Sequence, residues 1–425
     1  MSTDKVQVVR TKRTGRVDAL MTGKSADAVR GLRQGAMRIG NVADARRIAE
    51  RRLPRVVFDY IDGGAEAEIT MRGNREALEA VTFLPRMGVT QGNIDLKTTV
   101  MGHEVAMPVL LSPVGFTRMM HRTGDVAGAS AAGKAGTIFT LSSMSGHSIE
   151  DVAAAGSGPK WFQLYFLGGR KGSEQLIDRA QRAGYSALVV TMDTQIPGNR
   201  ERDYGNGLRL PLQVDASTML RFAPRVALHP SWLLDFARDR FSLDIANATS
   251  LGDPDSPMSL GEATAGMVLF PPTWEDFEWM REQWKGPILA KGVITPDDAR
   301  RAVDCGASGI IVSNHGGRQL DGMRATLPAM VEILEAVGDE VEVLFDGGVR
   351  RASDALRAIA LGAKAAMIGR AWAYGLGAFG EAGIDRVLTI FRTELDRAMR
   401  LLGCLSIDAL DRSYVEIPDS WVRSK

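Results

Sequence analysis

Eight short apolar segments recur along the chain, and an amphipathic helical pattern follows most of them. The segments are PVLLSPVG at 108–115, TIFTLSS, WFQLYF, ALVVTMD, PILAKGV, GIIVSNH, VEVLFDGG and AAMIGR at 365–370. Strands that alternate with helices predict an α/β fold with a parallel sheet and right-handed crossovers. Because there are eight such units, and because no strand opens into the GxGxxG turn of a dinucleotide-binding sheet, we expect a closed (β/α)8 TIM barrel.

Three segments lie outside this repeat. Residues 1–40 are polar and basic and predict a flexible arm, and helical patterns from Asn41 to about Leu78 predict an N-terminal helical extension. A long insertion at 199–285 follows the fourth strand and far exceeds the usual length of a connection. We expect residues 41–425 to form a single barrel domain that includes this insertion.

The middle of the insertion, residues 216–241, mixes leucines, phenylalanines and Trp232 with arginines such as Arg225 and Arg238. This composition is typical of a surface that docks something apolar beside something anionic. Two interpretations remain open at this point. The segment either packs on the barrel or a neighbouring subunit, or contacts a membrane surface.

The composition excludes several classes of protein. The 425 residues are 45% hydrophobic and 24% charged, with a formal net charge of +1, so the chain can bury a large core and carries no field that favours nucleic acid. Cys305 and Cys404 lie far apart, and the five histidines have no metal-ligand spacing. We therefore expect no disulfide framework and no metal site, and a reducing compartment. No apolar run is long enough to span a bilayer and no signal-peptide core is present, so the expected location is the cytoplasm.

The strand ends carry polar residues or glycines where core packing alone would favour valine and leucine. In a (β/α)8 barrel, the residues at the carboxyl ends of the strands face one common site. In chain order these ends contribute Pro113, Val114 and Gly115; Ser142 and Met144; Gln163 and Tyr165; Thr191 and Asp193; Lys291; Ser313 and His315; Asp346, Gly347, Gly348 and Arg350; and Gly369 and Arg370.

The loop after the sixth strand combines an imidazole and a guanidinium three residues apart, His315 and Arg318, on backbone relaxed by two glycines. Such a pair could take a proton from a bound anion and hold its carboxylate. Asp193 could hold His315 in one tautomer, and Lys291 could offset a negative charge that develops on a ligand. The alternative is a surface turn with an incidental histidine.

The ends of the seventh and eighth strands suit a phosphate. Gly347, Gly348 and Gly369 let backbone N–H groups approach phosphate oxygens, and Arg350 and Arg370 supply charge and forked donors. The alternative is that these glycines serve tight turns and that the arginines lie on the surface. If both sites exist, the barrel holds a phosphate-bearing cofactor beside a base.

Two motifs are highly specific: SNHGGRQLD at 313–321 and DGGVRR at 346–351. Other short motifs also fall in the order found in one known family: FQLY, MDT with a following Arg200, AKGV and IGR. With these motifs the chain resembles the FMN-dependent (S)-2-hydroxy acid dehydrogenases and oxidases, the family of L-lactate dehydrogenase, mandelate dehydrogenase and glycolate oxidase. The resemblance extends from about Asn41 to Leu410.

The resemblance implies a role for each site residue. His315 is the catalytic base and Asp193 its partner, Tyr165 contacts the substrate hydroxyl or the developing carbonyl, and Tyr60, Arg200 and Arg318 bind the substrate carboxylate. Met144 lies at the substrate side chain. The implied FMN ligands are Pro113, Val114, Gly115, Ser142, Gln163, Thr191, Lys291, Ser313, Asp346, Gly347, Gly348, Arg350, Gly369 and Arg370.

The resemblance also implies a substrate and partners. Gly115 stands where oxidases of the family tend to carry alanine, which favours a dehydrogenase that passes electrons to a quinone or another acceptor. Met144 stands where glycolate oxidase has a tryptophan, which favours L-lactate or a bulkier 2-hydroxy acid. The alternatives are an oxidase that produces hydrogen peroxide and a flavoenzyme that acts on a peptide-derived precursor. Residues 216–241 resemble the membrane segment of mandelate dehydrogenase, which implies peripheral contact at the inner face of the cell membrane, and a homotetramer is expected.

Overall fold

Eight parallel strands form a closed barrel in the computed structural model, which describes residues 31–89, 92–206, 226–239, 245–248, 251 and 271–421. Four short strands lie outside the barrel: β1 (Thr82–Phe83), β2 (Thr98–Val100), β3 (His103–Val105) and β12 (Val415–Glu416). The barrel strands are β4 (Val109–Leu111), β5 (Phe139–Ser142), β6 (Lys160–Leu164), β7 (Ala187–Thr191), β8 (Ile288–Val293), β9 (Gly309–Val312), β10 (Glu342–Asp346) and β11 (Ala365–Ile368). Seven of the eight lie within the predicted segments and β6 begins one residue earlier, at Lys160, so the predicted TIM barrel is confirmed.

The barrel strands are apolar along their whole length because both of their faces are buried. One set of side chains, including Leu110, Val189, Leu289, Ile311 and Leu344, fills the barrel interior. The remaining apolar strand residues pack against the surrounding helices. The turn of the β2–β3 hairpin lies at the amino-terminal end of the barrel, where the Met101 amide donates to the Glu342 carboxylate at the start of β10 over 2.9 Å. The opposite end is left for the site.

Helices α1 (Val42–Arg52), α2 (Arg55–Asp62) and α3 (Ile69–Ala80) form the predicted N-terminal extension. The buried carboxylate of Asp62 accepts hydrogen bonds from Arg46, Arg202 and the Tyr374 hydroxyl. These bonds tie the end of α2 to α1 and to the barrel. Tyr60, on the last turn of α2, is thereby fixed over the carboxyl ends of the strands.

The later helices are α4 (Gly124–Ala135), α5 (Ile149–Ala154), α6 (Gly169–Arg182), α7 (Glu201–Gly205), α8 (Pro230–Arg238), α9 (Trp274–Gln283), α10 (Pro296–Asp304), α11 (Thr326–Val337), α12 (Ala352–Ala360), α13 (Arg370–Phe379) and α14 (Glu381–Leu402). Helix α10 begins as the sequence predicts, with Pro296 in the first turn and the Thr295 side chain accepting from the Asp298 amide. Helix α13 was not predicted. Most of its residues are buried, so it lacks the amphipathic stripe by which a helix is recognised.

The described end of the predicted arm packs on the barrel. Residues 31–36 are helical, Ala36 and Ile39 are buried, and the Arg386 Nε donates to the Ile39 carbonyl over 2.8 Å. The rest of the arm lies outside the described residues, and its flexibility stays a prediction.

The described part of the insertion docks on the loop that follows β4. On α8, the Trp232 indole donates to the Met119 carbonyl over 2.7 Å, and Asp235 pairs with Arg122. Asp239 accepts two hydrogen bonds from Arg118. This part therefore packs on the barrel, as the first interpretation expects.

Residues 216–225 and 240–241 of the proposed membrane segment lie outside the described residues. Helix α9 falls inside the range 199–285 but lies between β7 and β8 in the chain, where a barrel has its crossover helix. Within the described residues, no helix is long and apolar enough to cross a membrane.

Candidate active site

The ends of β6, β7 and β9 bring two polar side chains against an imidazole. The His315 Nδ1 lies 3.2 Å from the Asp193 Oδ1, and its Nε2 lies 3.2 Å from the Tyr165 hydroxyl. His315 has a φ of +56°, a left-handed conformation that is uncommon outside glycine. The side-chain amides of Asn314 and of Asn74 on α3 donate to each other's oxygens, over 2.8 and 2.9 Å. These two hydrogen bonds fix the turn that holds His315.

The protonation of this group suits a base. Desolvation lowers the pKa of His315 by more than the charge of Asp193 raises it. Burial alone would raise the pKa of Asp193, but His315 and Lys291 hold it below its usual value. At neutral pH the pair is therefore a neutral imidazole beside a carboxylate. If Nδ1 carries the proton and donates to Asp193, the lone pair of Nε2 points to the cleft and to Tyr165, whose pKa burial raises.

Two arginines stack on Tyr60. The guanidinium carbons of Arg318 and Arg200 lie 5.1 Å and 5.4 Å from the centre of the Tyr60 ring. Arg200 pairs with Asp203 at 3.4 Å, whereas no carboxylate within the described ranges lies within 4.0 Å of Arg318. Desolvation also lowers the pKa of Arg318. A partly buried cation without a counter-ion favours an anionic ligand.

The cleft holds a second pair of arginines, Arg350 and Arg370, which form no ion pair with any described residue. Desolvation lowers the pKa of Arg370 to about 10. Its guanidinium also donates to the carbonyls of Ile61, Gly63 and Gly316, at 3.1, 2.8 and 2.8 Å. Arg370 thus fastens the end of α2 and the residue after His315, a task that the sequence did not indicate.

Gly347 and Gly348 form the backbone turn that precedes Arg350, and they serve this turn as well as any ligand. Gly347 and Gly348 have φ values of +145° and +80°. A Cβ atom on Gly347 would lie 2.3 Å from the Thr326 Oγ1. The turn itself therefore requires glycine, which supports part of the alternative interpretation, while the same backbone remains open to close approach by a phosphate.

Two hydrogen-bonded chains hold polar side chains at the cleft. Lys291 Nζ lies 3.1 Å from the Ser313 Oγ and 3.3 Å from the Asp346 carboxylate. In the second chain, the Ser142 hydroxyl donates to Gln163, and the Gln163 amide donates to Thr191, both over 2.8 Å. These contacts fix the positions of the polar groups relative to one another.

One cleft unites nearly all of the predicted residues. Those that line it are Tyr60, Pro113, Val114, Gly115, Met144, Gln163, Tyr165, Thr191, Arg200, Lys291, His315, Arg318, Asp346, Gly347, Gly348, Arg350, Gly369 and Arg370. Ser142, Asp193 and Ser313 lie behind this lining and hydrogen-bond to it. Sequence reasoning missed Ser112, Phe116, Thr194, Pro197 and Gln319, which also line the cleft. The only sequence signal for these residues is that some of them adjoin a predicted one, as Phe116 follows Gly115 and Gln319 follows Arg318.

Within the described ranges, no group of His, Cys, Asp or Glu side chains is placed to bind a metal.

A family of FMN-dependent dehydrogenases matches residues 49–417. The chain belongs to this family. It is 42% identical over 387 residues to the pre-mycofactocin synthase of Mycobacterium tuberculosis (strain CDC 1551 / Oshkosh), a match that covers 90% of this chain and 96% of that protein. It is 43% identical over 378 residues to the L-lactate dehydrogenase of Alcaligenes faecalis, covering 88% and 98%.

Solved structures agree with this family assignment. The crystal structure of the monotopic membrane protein (S)-mandelate dehydrogenase is similar, with a TM-score of 0.82, 37% identity, and coverage of 89% of this chain and 100% of that one. The family resemblance and the FMN dependence expected from the sequence are thus confirmed. This chain is an FMN-dependent enzyme of the 2-hydroxy acid dehydrogenase and oxidase family.

The cleft of this FMN-dependent dehydrogenase fits its cofactor. Arg350 and Arg370 are cations without carboxylate partners in the described chain, beside glycine backbone that a phosphate can approach. The hydroxyl, amide and ammonium groups of Thr191, Gln163 and Lys291 line the middle of the cleft. Such donors and acceptors suit the polar edge of a flavin ring.

Proposed function

We propose that this enzyme oxidises a free (S)-2-hydroxy acid, L-lactate or a bulkier analogue, to the 2-oxo acid and passes the electrons to a quinone or another acceptor. The observation that carries this proposal is the position of Arg318. It is a partly buried cation without a carboxylate partner in the described chain, three residues from a neutral imidazole. A substrate carboxylate bound there supplies the missing charge and brings the reacting carbon toward His315.

The residues divide the reaction between binding and proton transfer. Arg318 and Arg200, held by the Tyr60 ring, bind and orient the carboxylate. His315 Nε2 accepts one proton from the substrate, and Asp193 stabilises the resulting imidazolium. The Tyr165 hydroxyl, 3.2 Å from Nε2, donates to the substrate oxygen. Because the base is neutral before reaction, it needs no prior deprotonation at neutral pH.

Bound FMN supplies the acceptor of the two electrons that leave the hydroxy acid. The ring would lie on Pro113, Val114 and Gly115. Lys291, fixed by Ser313 and Asp346, stabilises negative charge beside it. The remaining contacts are proposed for Ser142, Gln163, Thr191, Gly347, Gly348, Arg350, Gly369 and Arg370.

A second candidate substrate is a peptide-derived precursor, because the pre-mycofactocin synthase is about as similar to this chain as the L-lactate dehydrogenase is. Arg318 argues against it, since its guanidinium suits a free carboxylate. Gly115 favours transfer to a quinone over transfer to dioxygen.

We propose that the enzyme acts in the cytoplasm at the membrane surface, as a homo-oligomer. Support for membrane contact comes from two exposed leucines. Leu234, on α8, is 54% exposed, and Leu228, just before this helix, is 78% exposed. The solved (S)-mandelate dehydrogenase, a monotopic membrane protein, supports the same placement.

An anaerobic reduction experiment tests the proposed reaction. The purified holoenzyme should be yellow and should lose this colour on addition of L-lactate or (S)-mandelate, while the (R)-enantiomers, as matched controls, leave it unchanged. Glycolate should act more weakly than either. Absence of bleaching with every 2-hydroxy acid would contradict the proposal and favour the peptide-derived substrate.

A further inference from the structure

The cleft has an apolar wall formed by Phe116 and Met144, called the side-chain wall below. Both residues line the cleft. They come from the loops after β4 and β5, and the Phe116 amide donates to the Met144 carbonyl over 3.1 Å. This bond ties the two loops together where both apolar side chains line the cleft.

Phe116 adopts a conformation that phenylalanine rarely takes. Its φ is +58° and its ψ is +28°, in the left-handed region. For a bulky residue this conformation costs about 1–2 kcal/mol, and it persists only where the surroundings enforce it. The strain places the ring edge-on against Tyr60, at 5.6 Å between ring centres and an interplanar angle of 89°. The side chain thus reaches the residue on which both carboxylate-binding arginines stack.

A buried carboxyl holds the two halves of the side-chain wall together. The Asp125 Oδ2 accepts from the Thr117 hydroxyl over 2.6 Å and from the Ser145 hydroxyl over 2.5 Å. Thr117 follows Phe116 and Ser145 follows Met144 in the chain. One side chain of α4 therefore fixes the positions of the two loops relative to each other, so the fold holds the wall in place.

The charged side chain next to the wall in the chain is paired with other groups. Arg118, two residues after Phe116, pairs with Asp239 and donates to the Gly146 carbonyl. The cations that line the cleft are Arg200 and Arg318 at Tyr60, together with Lys291, Arg350 and Arg370. A Cβ on Gly115 would lie 3.1 Å from the Met144 Cβ and 3.6 Å from the Tyr60 hydroxyl, so the wall adjoins the carboxylate site.

We propose that Phe116 is a specificity-determining residue, whose ring, with Met144, packs against the substituent on the α-carbon and selects acids whose substituent is uncharged and apolar. This inference rests on the proposed function. With the carboxylate at Arg318 and the reacting carbon at His315, the remaining substituent meets the wall. Hydrophobic burial then adds roughly 0.8 kcal/mol for each methylene in contact.

The binding of unreactive carboxylates to the FMN-loaded enzyme tests this inference without turnover. Dissociation constants of acetate, butyrate, phenylacetate and malonate are measured from the change in the flavin absorbance spectrum. Wild-type enzyme should bind butyrate roughly tenfold more tightly than acetate, since two buried methylenes contribute that much, and malonate should gain nothing over acetate. In Phe116→Ala, the advantage of butyrate and of phenylacetate over acetate should fall at least threefold.

The controls separate loss of contact from loss of structure. Met119→Ala alters the same loop at a side chain that does not line the cleft, and should keep the wild-type ratios. Phe116→Gly removes the ring together with the backbone strain, so it provides a stable variant if Phe116→Ala fails to fold. An unchanged or increased butyrate-to-acetate ratio in both variants overturns the role of Phe116, as does tighter binding of malonate than of butyrate.

The proposed function is tested separately in the same samples. If wild-type enzyme bleaches with L-lactate while the variant ratios stay unchanged, only the role of Phe116 is lost. If no 2-hydroxy acid bleaches the wild-type flavin, both the proposed function and this inference fail.

Discussion

His315 and Asp193 lie 122 residues apart in the chain, yet the imidazole Nδ1 and the carboxylate Oδ1 are separated by only 3.2 Å. The barrel produces this contact, because β7 and β9 flank β8 in the sheet and end at the same edge. The contact pairs a neutral base with a carboxylate that can stabilise its protonated form.

Replacing His315 by glutamine should remove the base and leave the cofactor site intact. We expect reduction of the flavin by L-lactate to slow by about 10²–10⁴-fold, the usual contribution of a positioned base. Stopped-flow absorbance measures the rate, and FMN content measures the cofactor. His103→Gln, on β3 at the far end of the barrel, is the matched control. A wild-type rate in His315→Gln would eliminate this residue as the base.

The pH dependence should follow the lowered pKa of His315. Since the neutral imidazole is active, kcat/KM should be constant near neutral pH and should fall only below pH 6.5, the ordinary histidine value. Asp193→Asn removes a charge that raises the pKa of His315, so the acidic decline should move to still lower pH. The rate should also drop by about 10²-fold or more because the tautomer is no longer fixed. An acidic decline centred above pH 6.5 in the wild type would contradict this assignment.

Arg318→Lys should weaken substrate binding more than FMN binding. Lysine cannot reproduce the forked contact, nor the donation to the Tyr60 carbonyl at 2.7 Å. We expect the dissociation constant of a carboxylate ligand to rise roughly 10-fold to 100-fold, as for loss of a charge-assisted hydrogen bond. Arg324→Lys alters an exposed arginine of the same loop and should bind as the wild type does. Equal affinity in both variants would remove Arg318 from the carboxylate site.

Gly115→Ala should change the choice of electron acceptor. The added Cβ would lie 3.1 Å from the Met144 Cβ, tighter than ordinary contact, so Met144 must shift. We expect more hydrogen peroxide per turnover and less reduction of a soluble quinone, together with a higher KM for bulky acids. Parallel peroxide and quinone assays measure the ratio of the two acceptors. A ratio equal to that of the wild type would show that this position does not control acceptor choice.

Asp125 should make the stability of the fold depend on pH. Burial raises the pKa of this carboxyl from 3.8 to about 6, so the folded state binds the proton more tightly than the unfolded state. Its contribution to stability is therefore full below pH 3.8 and is lost as the pH rises to about 6. Relative to Asp125→Asn, the wild type should lose about 2 kcal/mol of unfolding free energy between pH 4 and pH 7. Urea unfolding of both proteins measures this difference, and parallel pH profiles would disprove it.

The positions of the strands were predictable because they depend on local sequence. A barrel strand buried on both faces is a short apolar run, and its polar end marks where it leaves the core. Helix α13 shows the limit of this signal. It is buried nearly all round, so its sequence has no polar face to reveal the helical period.

Sequence by itself determined the eightfold alternation and the residues at each strand end, including His315, Asp193 and Lys291. Only the tertiary structure decided how these groups are used. It placed Arg370 on the carbonyls of Ile61, Gly63 and Gly316, and it brought Phe116 against Tyr60. The physical reason is that periodicity is a property of neighbouring residues, whereas hydrogen-bond partners and the desolvation of a charge depend on chain segments that meet only when the barrel closes.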